Sequence, residues 1–127
     1  MTPALTRLKH RREFLTVAGS GRKSVARGLV LQALARAEGG PSRVGFTVTK
    51  RVGNAVVRNR IRRRLRAVAD ELLPAAAAGV DYVLIGRAGA EDRPYDALRR
   101  DLATALARLH LDRDAAPPEN GARRDMT

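Results

Sequence analysis

Nine cations and no acid share the tract from Arg43 to Ala69: Arg43, Lys50, Arg51, Arg58, Arg60, Arg62, Arg63, Arg64 and Arg66. The stretch between Glu38 and Asp70 holds no Asp or Glu, so these charges have no partner close by in sequence. Six of them fall in the nine residues R-N-R-I-R-R-R-L-R at 58–66. Cations at this density repel one another, and RNA or DNA is the ordinary polyanion that relieves such repulsion. Guanidinium forks suit phosphate because they bind it bidentately and do not lose their charge. A lone arginine is usually part of a solvated face. Six within nine residues, without acids, point instead to an anionic partner.

Residue types that could support catalysis by the chain itself are sparse. There is no cysteine, which excludes disulfides, thiolate zinc sites and cysteine nucleophiles. His10 and His110 lie far apart, each without a His or Cys neighbour, and read as neither metal ligands nor bases. Asp70 and Glu71 are adjacent and so point in different directions on a helix; with Asp81 they do not read as a metal site. Gly19-Ser20-Gly21 lacks the lysine and spacing of a phosphate loop. Ser20, Ser24 and Ser42 have no base nearby in sequence. No catalytic constellation and no metal ligand set emerges.

Apolar spacing predicts the elements that carry these charges. Residues 1–8 read as a frayed start. Residues 9–18 read as a short helix with Phe14, Val17 and Ala18 on one face, stopped by Gly19, Ser20 and Gly21. Lys23–Ala26 reads as a short strand and Gly28–Arg36 as a longer one, with the Gly39-Gly40-Pro41 turn favouring a hairpin. Arg43–Lys50 is an alternating strand: Val44, Phe46 and Val48 point one way, and Gly45, Thr47 and Thr49 make a small, polar face open to a ligand. Asn54 is a good N-cap for a helix over 55–73. Its stripe is Val57, Ile61, Leu65, Val68 and Leu72, with the arginines fanning away from it. Pro74 ends this helix. Val80–Arg87 has a continuous apolar centre that suggests burial on both faces. A last helix near 94–110 stacks Leu98, Leu102, Leu106 and Leu109, with Pro94 in its first turn. The order α-β-β-β-α-β-α describes an α+β sandwich: a small, mostly antiparallel sheet packed by a central arginine-rich helix.

The totals agree with one basic domain. The chain has 127 residues, a net charge of +12 and 44% apolar residues, enough to fold around one modest core. No apolar run approaches ~18 residues, and the N-terminus lacks a signal-peptide apolar region. A cytoplasmic protein with no membrane partner is expected, since the basic helix has no Trp or Phe on its apolar side. The expected division is a folded domain over 1–111 and a disordered tail over 112–127.

The segment F-T-V-T-K-R-V-G-N-A-V-V-R-N-R-I-R-R-R-L-R (46–66) resembles the signature of the bacterial ribonuclease P protein component. The matching pieces are Lys50-Arg51 at a strand end, Gly53-Asn54-Ala55 at a helix start and Arg58-Asn59-Arg60 one turn later. Arg12-Glu13-Phe14, the D-Y-V-L-I strand and the leucine-rich last helix fall in the family's order, so the resemblance spans roughly residues 7–110. It implies a protein that binds a large catalytic RNA and the 5′ leader of precursor tRNA. The magnesium-dependent chemistry would belong to the RNA, and the protein would hold no cofactor and take no small-molecule substrate. It also implies a left-handed βαβ crossover, the opposite of what handedness rules predict.

The resemblance assigns catalytic-RNA contact to Arg58, Asn59 and Arg60, with Arg63 and Arg64 placed to join them. It assigns the leader to a cleft with Phe14, Val30, Gln32, Thr47, Lys50 and Arg51, which Arg62 and Arg66 could reach. Phe14 is either a stacking platform or a core ring, and Lys50 and Arg51 could instead only order their turn. Ala18 and Gln32 stand where the family often carries aromatics, so leader stacking should be weaker and the affinity more electrostatic. A ribosomal protein or general RNA chaperone of similar architecture is the alternative. A DNA-binding module is a third reading, weakened by the absence of a preceding helix-turn-helix partner.

Overall fold

A computed structural model describes residues 5–111. The expected tail at 112–127 and the first four residues lie outside the described residues. The elements are β1 (Thr6–Arg7), α1 (Arg11–Ser20), β2 (Arg22–Val25), β3 (Leu29–Ala35), β4 (Arg43–Thr47), α2 (Ala55–Leu72), a short 3-10 turn (Leu73–Ala75), β5 (Val80–Gly86) and α3 (Tyr95–Arg108). The α+β order holds, with one strand added at the start. Residues 6–7 were expected to fray; they pair parallel with β4, where the Thr6 and Leu8 amides donate to the Ser42 and Val44 carbonyls at 3.0 Å each.

The five strands lie in the order β1-β4-β5-β3-β2. β5 is central, which accounts for its apolar run: a strand flanked on both sides and covered on both faces meets little water. It runs antiparallel to β3 and parallel to β4. The sheet therefore has two parallel and two antiparallel pairings, and the longest ladder, β3 with β5, is antiparallel. The turn at 39–41 does not close a hairpin. β3 pairs with β2 and β5, and β5 separates it from β4. A short turn makes neighbours easy to form, but the parallel β4-α2-β5 unit takes the place beside β4.

Alternation along the strands divides the two faces. Leu29, Leu31, Ala33, Val44, Val48, Tyr82 and Leu84 form the main core with α2 and α3. Val83, with Leu34 and Ile85 half-buried, faces the opposite way and packs with Leu8, Phe14 and Val17 under α1. Ile61, Leu65 and Val68 of α2 are fully buried, each contributing about 1.5–3 kcal/mol. Gly86 lets the helix come close, because a Cβ there would lie 2.6 Å from the Ile61 Cγ2 atom. Among the described residues, no helix is long and apolar enough to cross a membrane.

Candidate nucleic-acid interface

The α2 helix begins where its cap specifies: the Asn54 Oδ1 accepts from the Val57 amide at 3.0 Å. Burial of the Ile61–Leu65–Val68 stripe turns the remaining positions outward. At 100° per residue, Arg60, Arg63 and Arg64 fall on the flank toward α3, and Arg58, Arg62 and Arg66 on the other. Arg60 and Arg63 are exposed and Arg58 is half-exposed; none has an ion pair among the described residues. Asn59 is exposed and accepts from the Arg62 Nη1 at 3.2 Å. Arg60, Arg63 and Arg64 line, with Ala67 and Tyr95, a groove of about 410 Å³ between α2 and the start of α3.

Three cations of the basic tract, Arg43, Arg64 and Arg66, have partners on other elements of the fold. Arg64 donates from Nη1 to the Glu91 carbonyl at 3.0 Å and from Nη2 to the Arg93 carbonyl, which pins the β5–α3 loop. The Arg66 guanidinium lies 5.9 Å from the Phe46 ring centre, and Arg7 lies 5.4 Å from the same ring, so Phe46 sits between two cations. Arg43 is held by acids distant in sequence. It meets Glu13 Oε2 at 2.7 Å and grips Asp81 with Nε and Nη2 at 2.8 and 2.6 Å. Counting Arg43 with the polyanion-facing charges is thus corrected: β4 directs it into the α1 face, where these carboxylates lie.

Arg36 completes this network from the far end of β3, donating to Asp81 Oδ1 at 2.6 Å. Burial alone would raise the Asp81 pKa, but hydrogen bonds from Arg43 and Arg36 outweigh it and hold the carboxyl below its usual value. Glu13 is lowered to about 2, chiefly because its carboxylate accepts from the backbone amides of His10 and Lys9, with Arg43 adding attraction. The result ties the first turn of α1 to β4 and β5.

That tie positions a second surface. Between α1 and the sheet runs a groove of about 440 Å³ lined by Arg11, Phe14, Leu15, Ala18, Gln32, Thr47, Val83 and Ile85. Gly45 makes the seat for Phe14: a Cβ on Gly45 would lie 2.4 Å from two ring atoms. Phe14 is half-buried, packing on the α1-face cluster while also lining the groove.

Of the residues assigned to a leader cleft, Phe14, Gln32 and Thr47 come together here. Val30 shares the Gln32 side of β3 but lies beyond the groove lining. Lys50 and Arg51 are exposed at the centre of a turn closed by the Val52 amide on the Thr49 carbonyl at 3.1 Å. Arg62 and Arg66 are not in this groove, because α2 packs on the other face of the sheet. Sequence reasoning missed Arg11 and Leu15. The signal was present, since 11, 14, 15 and 18 are spaced i, i+3, i+4 and i+7 and share one helical face.

Among the described residues, no group of three His, Asp or Glu side chains could hold a metal ion. An arginine-rich helix on one side of a sheet and a groove with one aromatic and one cation on the other define a small α+β protein of the nucleic-acid-binding class. The family model described as ribonuclease P matches residues 2–110. The chain is 58% identical over 101 residues to the ribonuclease P protein component of Gluconacetobacter diazotrophicus, covering 79% of this chain and 87% of that one. It is 50% identical over 114 residues to that of Paramagnetospirillum magneticum, covering 86% of each. The Staphylococcus aureus ribonuclease P protein superposes with a TM-score of 0.73 at 25% identity, over 84% of this chain and 96% of that one. The chain belongs to the ribonuclease P protein component family.

Proposed function

We propose that this chain, as a protein subunit of ribonuclease P, binds the enzyme's catalytic RNA through the outer flanks of α2 and the 5′ leader of precursor tRNA through the α1 groove. The observation that carries this reading is the separation of the two surfaces by the sheet. The α2 arginines and the Phe14 groove lie on opposite faces, so one chain can hold two RNAs without either displacing the other. The α2 side offers Arg58, Asn59, Arg60 and Arg63 to folded RNA, with Arg64 acting chiefly as a loop anchor. The groove suits an unpaired strand: Phe14 can stack on a base, Gln32 and Thr47 can hydrogen-bond, and Arg11 can meet phosphate. Arg62 and Arg66 extend the cationic surface along the β1–β4 edge instead of lining the groove.

The bond-breaking groups, and the magnesium ions they use, belong to the RNA in this reading. It places the assembly in the cytoplasm. The purified chain alone should leave precursor tRNA intact, yet increase cleavage by a bacterial catalytic RNA at low magnesium. Cleavage by the bare protein would overturn that division of labour. With the catalytic RNA present, precursor tRNA should bind more tightly than mature tRNA; equal affinity would favour a ribosomal protein or general chaperone, a reading that no structural feature supports.

A further inference from the structure

Tyr95 is the one exposed aromatic among the described residues, 40% accessible, while Tyr82 is fully buried. Phe14 lies in the α1 groove and Phe46 between two guanidinium groups. Tyr95 opens α3, more than thirty residues after Arg60 and Arg63, yet the three share one groove of about 410 Å³. That volume lies in the range of sites for single small ligands, about 300–1,000 Å³. Ala67, one helical turn from Arg63, keeps the floor low.

Two of the lining side chains are held in place. The Tyr95 hydroxyl donates to Glu71 Oε1 at 2.9 Å, and Glu71 is in turn paired with Arg99. This acid is therefore already neutralised beside the ring. Arg64, the rear wall, is anchored on two loop carbonyls. Phosphate contact alone needs only the cations. An aromatic wall between cations is what an unstacked base uses, with its own phosphates falling to the guanidinium groups.

We propose that this groove receives one unpaired nucleotide of the catalytic RNA, its base against Tyr95 and its phosphates on Arg60 and Arg63. The proposal rests on the reading that the outer side of α2 meets that RNA, and it adds a selective contact that a charged face lacks. The test assembles the full chain with catalytic RNA and measures affinity at several salt concentrations for the wild type, Tyr95→Leu, Tyr95→Phe and Arg58→Ala. The RNA bases are probed chemically in parallel.

Tyr95→Leu should weaken binding by about five- to 150-fold, the equivalent of ~1–3 kcal/mol for one stacked base. Its salt dependence should match the wild type, since no charge is removed, and one unpaired base should gain reactivity. Tyr95→Phe should bind within about twofold of wild type. The proposal fails if Tyr95→Leu binds as wild type, or if Leu and Phe weaken binding equally, which would assign the loss to the Glu71 hydrogen bond. If Arg58→Ala weakens assembly and Tyr95→Leu does not, only the nucleotide site is lost. If neither does, the RNA interface on α2 is wrong as well.

Discussion

Removing Arg58, Arg60 and Arg63 together should flatten the salt dependence of catalytic-RNA binding while leaving the fold intact. The magnitude follows from which guanidinium groups are available. Six arginines lie on α2, but Arg64 is engaged by the Glu91 and Arg93 carbonyls, leaving five to meet phosphates. Each phosphate contact contributes about 0.7–0.9 to the slope of log affinity against log salt. Five contacts predict a contribution of about −3.5 to −4.5, and the triple alanine variant should reduce its size by about 2–3. Arg64→Ala is the informative contrast. It removes the same formal charge, but it should barely alter the slope and should instead lower stability by about 1–3 kcal/mol, through two lost charge-assisted hydrogen bonds. Filter binding across a salt series, with thermal melts of the free proteins, separates the two effects. The reasoning is refuted if the triple variant keeps the wild-type slope, or if Arg64→Ala lowers the slope by about one unit without changing the melt.

Two further outcomes concern the α1 side. Gly45→Ala should drive the Phe14 ring from its seat, since the new Cβ would lie 2.4 Å from ring atoms; a cost of about 1–3 kcal/mol and weaker binding of a single-stranded leader oligonucleotide should follow, with catalytic-RNA assembly unchanged. An unshifted Phe14 with unaltered leader binding would contradict this. Glu13 predicts an acid-sensitive attachment of α1. Its folded pKa is depressed from 4.5 to about 2, so its stabilising contribution is present above 4.5 and disappears as pH falls toward 2. The melting difference between wild type and Glu13→Gln should therefore shrink over that window; a gap that is the same at pH 7 and pH 2 would rule it out.

The parts of this protein that depend on neighbours in sequence were legible without coordinates. Asn54 caps α2, the Ile61–Leu65–Val68 stripe is buried, and Arg58, Arg60 and Arg63 face outward, because helix periodicity is a local property. The apolar centre of β5 announced a strand covered on both faces for the same kind of reason. Pairing over long separations was not legible. The turn at 39–41 suggested a β3–β4 hairpin, whereas β5, some forty residues later, enters between those strands. Arg43 looked like one more cation for RNA until the sheet brought Asp81 and α1 brought Glu13 against it. The division into two surfaces, and the meeting of Tyr95 with Arg60 and Arg63, likewise belong to the tertiary structure. A sequence of charges and apolar spacings specifies which face of each element is wet. Only closure of the sheet decides which wet faces lie side by side, because that depends on contacts whose partners are far apart along the chain.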